Sequence, residues 1–214
     1  MENNLEVNFY FPCALYTVVK PEFLGVTKEV VDEYVERIKR VPIHDELNPV
    51  YQTEFIQGDS RLEPFSQFVL NTAWGILHEQ GYMMDGKTTH FESMWGQQYE
   101  KLGGMEQHIH NNNVQLVGFY FIDCPADSSR LVLHDPRAGK TQINLAEANE
   151  QYLNVASDKA NFEPKPGTLM IMNSWMPHSF NRHRADEPFK FIHFNIIVNQ
   201  SSQPSVAGGT AEVI

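Results

Sequence analysis

Between positions 90 and 198 the chain is a succession of short β-rich runs cut by turn residues, and this constrains its fold more than any other feature. Residues 91–99 read as a strand. Lys101-Leu102-Gly103-Gly104 reads as a turn. Residues 114–122 form a near-continuous apolar run, the pattern of a strand covered on both faces. Residues 130–137 give a short strand stopped by Pro136. Residues 162–167 turn into an apolar strand over 168–172, and 189–198 is the last strand. Residues 143–158 are either a short helix over 146–152 or an irregular insertion.

The first half has a different period. Residues 4–20 read as two short strands interrupted at Pro12. Thr27 reads as a helix N-cap, followed by Val30, Val31, Tyr34, Ile38 and Val41 at helical spacing, with Pro42 ending the run. A short strand over 51–56 follows. Ser60 and Glu63 then have capping-box spacing, ahead of an apolar face of Phe65, Phe68, Val69, Thr72, Ala73, Ile76 and Leu77, with Gly81 as the stop. Helices first and strands afterwards predict an α+β fold built on a β-sandwich or barrel. The two N-terminal helices are expected to pack on one sheet through Val30, Tyr34, Ile38, Phe65, Phe68, Val69 and Ile76. No repeat or linker divides the chain, so the expectation is a single domain over 1–198, with helical support in 1–88 and the β core in 89–198. A Ser-, Gly- and Ala-rich tail over 199–214 is expected to be disordered.

A formal net charge of -11 argues against nucleic acid as a partner, because phosphate binding needs clustered Lys and Arg. No apolar run is long enough to span a membrane, and residues 1–4 lack a basic and apolar leader. Cys13 and Cys124 lie far apart and are expected to be buried free thiols, which suits a cytoplasmic protein. A homodimer is compatible with these features.

Chemistry is concentrated in two places. His108 and His110 are one residue apart, so on an extended segment both imidazoles share a face. His178 follows an apolar strand and Trp175-Met176-Pro177. Three imidazoles from two strand ends can hold one divalent metal and leave the opposite positions open. The plain alternative is a pair of solvated histidines. His134 and His193 fall in strands that should line a barrel. His44, His78 and His90 read as surface or packing residues, and His183 as part of a polar loop.

The ordered set of His-x-His, Gly-Phe-Tyr-Phe-Ile, Leu-Val-Leu-His-Asp-Pro-Arg, Pro-Lys-Pro-Gly with its apolar strand to Pro-His, and a final Phe-Asn covers roughly residues 91–198. It resembles the 2-oxoglutarate–Fe(II) oxygenases of the prolyl-hydroxylase-like superfamily, in the branch common in marine bacteria and tailed phages. The resemblance implies a double-stranded β-helix, a jelly-roll relative. It implies Fe(II), 2-oxoglutarate as cosubstrate and O₂, used to hydroxylate a peptide side chain or a small molecule. His108 and His178 take the outer metal positions. His110 stands where the superfamily usually has a carboxylate, with Asp135 the nearby alternative. For the far carboxylate of 2-oxoglutarate the family's arginine and tyrosine positions fall on Phe189 and Phe121, which leaves Lys190, Arg137 and Tyr120 as candidates. Lys190 is on the wrong face of an unbroken strand unless a bulge turns it. A three-histidine dioxygenase of cupin type needing no 2-oxoglutarate, and a non-catalytic jelly-roll binding module, are the competing readings.

Overall fold

The computed structural model describes residues 6–40 and 47–200. Pro42, His44 and the 201–214 stretch, where a helix stop, a surface histidine and a disordered tail are expected, lie outside the described residues.

Among the described residues, ten strands and two α-helices follow in the order β1 (Leu15–Val19), α1 (Leu24–Ile38), β2 (Val50–Phe55), α2 (Glu63–Glu79), β3 (Lys87–Tyr99), β4 (Met105–His108), β5 (Leu116–Asp123), β6 (Leu131–His134), β7 (Lys159–Phe162), β8 (Thr168–Asn173), β9 (His178–Phe180) and β10 (Phe189–Gln200). They form a six-stranded sheet in the order β1-β8-β5-β10-β3-β2 and a four-stranded sheet in the order β4-β9-β6-β7. Every pairing is antiparallel. Neighbours in the sheets are mostly distant in sequence, the signature of a jelly roll, and the fold is the double-stranded β-helix expected.

Two cores follow from strand alternation. On the outer face of the larger sheet, Tyr120, Ile122, Ile192, Phe194 and Ile196 pack against Val30, Val31, Val35, Phe65, Val69 and Ile76 of the helices. Tyr34 and Phe68 lie half-buried at its margin, and Ile38 is outside it. Between the sheets, Val117, Phe119, Phe121, Phe189 and Phe191 meet Leu131, Leu133 and Phe180. The apolar run of β5 is therefore covered on both faces, as its composition requires.

Several local expectations are corrected. No strand forms in residues 6–14. Helix α1 begins before Thr27, after a 3-10 turn over Pro21–Phe23, and the Thr27 hydroxyl donates back to the Phe23 carbonyl at 2.7 Å instead of capping. Ser60 does not cap α2 either: it opens a 3-10 turn over Ser60–Leu62 that Asp59 caps by accepting from the Arg61 amide at 3.0 Å, and α2 follows at Glu63 with no side-chain cap. Gly81, with φ of 91°, ends that helix as expected. No α-helix forms over 146–152. A 3-10 turn over Ala138–Gln142 leads into irregular chain, and β7, unforeseen, closes the smaller sheet. Strand β10 runs two residues further than expected, and Cys13 is exposed. No helix among the described residues is long and apolar enough to cross a membrane.

Candidate metal centre

His108 ends β4 and His178 opens β9, and the two are directly paired across the smaller sheet, with ring centroids 4.5 Å apart. His110 lies just beyond β4, in the turn that Asn111, Asn112 and Asn113 make. Asn112 and Asn113 have φ of 55° and 66°, a left-handed conformation that Asn tolerates better than most residues. The His110 amide donates to the Ser174 carbonyl at 2.9 Å, and Ser174 is itself tied to Val114 and Gln115. The loop before β5 and the loop before β9 thus lock each other. His110 stacks on His178 at 5.2 Å with the ring planes 3° apart. One nitrogen from each of the three histidines lies within 4.8 Å of the others.

The hydrogen bonds decide which nitrogens are free. His178 Nδ1 lies 2.9 Å from the Met176 carbonyl, and His108 Nδ1 lies 2.8 Å from the Glu106 carbonyl. A carbonyl only accepts, so each Nδ1 carries the proton and each Nε2 keeps a lone pair. The Nε2 atoms of His110 and His178 are buried and without a hydrogen-bond partner. Such orphaned acceptors are costly unless something else satisfies them. Burial, with the neighbouring His108 charge behind it, pushes His110 down to about 4. Burial likewise pushes His178 down to about 3. Both are neutral near pH 7, the form that binds a metal. The donor set fits a divalent transition ion: three imidazoles, two of them oriented by backbone carbonyls, with open positions.

Asp135 is not part of this group. Its carboxylate is held by Arg137 at 2.7 Å and by Lys140 at 3.4 Å, and the Arg137 guanidinium beside it holds its pKa down to about 2. The three residues expected to receive the far carboxylate are also engaged elsewhere. Lys190 lies on the helix-facing side of β10 and pairs with Asp32 of α1 at 2.5 Å and Asp123 at 3.7 Å. The bulge between Lys190 and Phe191, in the pairing with β5, does not bring it inward. Arg137 is exposed and committed to Asp135. Tyr120 points toward the helices, where its hydroxyl donates to the Lys20 carbonyl at 2.7 Å against Phe65. Phe121 and Phe189 do face inward, but as neighbouring apolar rings 6.0 Å apart.

Of the other histidines, His134 faces away from the cavity and shares a hydrogen bond with Ser179 at 2.9 Å. His183 lies in the loop between β9 and β10, as expected, but is fully buried there, bonded to Ser129 and Glu187. His193 does line the interior, 5.3 Å from His110. Residues that the sequence reading misses are Trp95, Gln97 and Tyr99, on the inward face of β3, each with a buried unpartnered polar atom. Their alternation in Ser93-Met94-Trp95-Gly96-Gln97-Gln98-Tyr99 is the signal that could have found them.

Comparison with known proteins bears on this geometry. The family model described as "Putative 2OG-Fe(II) oxygenase" matches residues 93–195, the stretch that carries all three histidines, β4 to β9 and the first part of β10. No curated protein matches the chain. Among solved structures, a Pseudomonas putida prolyl-4-hydroxylase is similar at 10% identity, over 86% of this chain and 92% of that one, with a TM-score of 0.56. The non-heme alpha-ketoglutarate-dependent epimerase SnoN from nogalamycin biosynthesis is similar at 12% identity, over 94% and 87%, with a TM-score of 0.58. AviO1 from Streptomyces viridochromogenes is similar at 8% identity, over 90% and 91%, with a TM-score of 0.59. These likenesses concern the fold. Residues 93–195 thus resemble the 2OG-Fe(II) oxygenases, enzymes that use Fe(II), 2-oxoglutarate and O₂.

Proposed function

We propose that His108, His110 and His178 hold one Fe(II), and that the chain couples oxidative decarboxylation of 2-oxoglutarate to hydroxylation of a small molecule or a peptide side chain. The observation that carries this is the convergence of three imidazoles whose ligand atoms lie within 4.8 Å of one another, two of them with a buried nitrogen that no protein group satisfies. Bound iron would supply the activation of O₂.

The chain's own residues do the rest. The Met176 and Glu106 carbonyls fix the tautomer and aim of two imidazoles. With no carboxylate in the set, the site would be one charge more positive than a two-histidine, one-carboxylate triad. That strengthens its attraction for an anionic 2-oxo acid. Behind the histidines, Phe119, Phe180 and Phe191 form a dry wall that excludes water from that side. At the mouth, Ile109 and Trp175 are 55% and 44% exposed although they flank metal-binding positions, and they offer an apolar rest for substrate.

The test is anaerobic loading with Fe(II), then addition of 2-oxoglutarate and O₂ with ascorbate, following succinate and CO₂. Stoichiometric succinate that stops when His178 is replaced supports the reading. Metal uptake with no succinate would favour the three-histidine dioxygenase that needs no 2-oxoglutarate. The absence of a carboxylate among the three histidines speaks for that rival.

A further inference from the structure

The inward faces of β3 and β10 meet beside the histidines. In their register Trp95 is opposite His193, and Ser93 is opposite Asn195. Asn195 lies beside His110 and donates to the Ser93 hydroxyl at 3.0 Å, which leaves its carbonyl oxygen free. His193 is 1% exposed, and neither of its ring nitrogens has a hydrogen-bond partner. Its ring sits 4.3 Å from that of Trp95, whose indole Nε1–H is also buried and unpartnered. His193 is not part of the ligand group that His108, His110 and His178 form.

A buried imidazole with both nitrogens unpaired, next to a buried indole N–H with no acceptor, is destabilising as it stands. The natural partner is a ligand bearing oxygen acceptors. A neutral imidazole has one N–H to give and one lone pair to receive, and the indole gives only. Among the described residues no Lys or Arg is buried, and the two cations that the sequence suggests for this role are paired with Asp32 and Asp135. An anionic oxygen that reaches this pocket therefore meets neutral donors, which can hold a carboxylate but do not neutralise it.

We propose that His193 and Trp95 are binding residues for the 2-oxo acid. They hold the carboxylate and oxo oxygens that every 2-oxo acid shares, through uncharged hydrogen bonds, and with no buried cation nearby among the described residues the site does not select a far carboxylate by charge. This rests on the reading that the three histidines hold Fe(II) for a 2-oxo-acid-coupled reaction. A 2-oxo acid with a neutral tail should then bind about as well as 2-oxoglutarate.

The experiment is anaerobic calorimetric titration of Fe(II)-loaded protein with 2-oxoglutarate and, separately, with 2-oxobutanoate. The two dissociation constants should agree within about fivefold. His193→Phe and Trp95→Phe, which keep ring shape and remove the polar atoms, should each raise both constants by roughly tenfold, the worth of one hydrogen bond. Iron stoichiometry should stay at the wild-type value, and His193→Gln, a neutral donor, should recover part of the loss. Affinity for 2-oxoglutarate about thirtyfold or more above that for 2-oxobutanoate would overturn the proposal, because a cation would then be reaching the tail. Unchanged affinity in both Phe variants would overturn it, as would loss of iron in His193→Phe, which would make that residue a ligand. If wild-type protein takes up iron but neither acid, the 2-oxo-acid reading itself falls and takes the inference with it. If it takes up no iron, the three-histidine centre falls first.

Discussion

Strand β10 shows two faces that have been put to opposite uses. On one, Ile192, Phe194 and Ile196 pack under the helices, and Lys190 closes an ion-paired group with Asp32, Asp123 and Lys28. On the other, Phe189 and Phe191 line the space between the sheets, and His193 and Asn195 stand next to the histidine triad. Among the described residues, eight of the ten buried side-chain atoms without a partner lie on the inward side: Trp95 Nε1, Gln97 Oε1, Tyr99 Oη, His110 Nε2, His178 Nε2, both nitrogens of His193 and Asn195 Oδ1. The helix-facing side is satisfied almost throughout. A fold stable enough to leave polar groups unpaired does so where a ligand will pair them. The contrast separates residues that hold the sheet from residues that wait for chemistry, although they alternate along one strand.

The sharpest way to break the contrast is at the triad. Replacing His108, His110 or His178 by Ala should each weaken binding of Fe(II) or Zn²⁺ by more than about a hundredfold, beyond what loss of a supporting residue costs. The far-ultraviolet circular dichroism should be retained, since the cores on both sides are apolar. Metal titration checks it. Full occupancy in His110→Ala with loss in Asp135→Ala would return the middle position to the carboxylate.

On the helix-facing side the expected effect is on folding instead. A Cβ added at Gly118 of β5 would come within 2.3 Å of the Phe194 ring and 2.9 Å of the Met170 carbonyl. The ring could shift only by disturbing its packing with Phe91, 5.7 Å away. Gly118→Ala should therefore cost roughly 1–3 kcal/mol by overpacking. Urea unfolding measures it, and a variant as stable as wild type would show slack in this core that the geometry does not contain.

Much of this division is legible in the amino-acid sequence. The strand runs, the His-x-His pair, Pro177-His178 and the two amphipathic helices can each be read from local pattern, because period and turn chemistry are local properties. What local pattern does not carry is parity. His110 sits in a turn fixed by Ser174, 64 positions away, not on the strand that would have aligned it with His108. Lys190 and His193 fall on opposite faces by alternation, but which face is inward is set by how β10 registers against β3 and β5. Thr27 looks like a cap because capping and back-bonding use the same hydroxyl, and Pro21 decides where the helix starts.

Acid should act on the inward face. In metal-free protein His178 is pushed down to about 3 and His193 well below its ordinary value, both by burial first, whereas an unfolded histidine titrates near 6.5. Below about pH 6.5 the unfolded chain binds protons that the folded one excludes. Stability is therefore fully present above that pH and is lost as the pH falls toward the folded values. Each of the two histidines should contribute a loss of roughly 1.4 kcal/mol per pH unit in that window. Denaturant midpoints of metal-free protein at about pH 7, 6 and 5 test this, and His193→Phe should show a shallower decline. A flat profile would mean the inward histidines are reached by water.

The smallest effect is expected where sequence alone points to a ligand. Lys190 has a side chain 12% exposed, against 36% for Asp32 and 32% for Asp123. Solvent screens its partners, so the pairing is worth less than a fully buried one, and Lys190→Ala should cost about 1 kcal/mol of stability. Its removal should leave the affinity for 2-oxoglutarate within about twofold, measured anaerobically with iron bound, because the side chain lies on the helix side of the sheet. The opposite result, a large loss of cosubstrate affinity at little cost in stability, would place the ammonium inside the barrel and require β10 to slip by one residue. Such a slip would turn His193 and Asn195 outward together. One variant therefore tests the whole assignment of faces, and the comparison stands only if stability falls and binding does not.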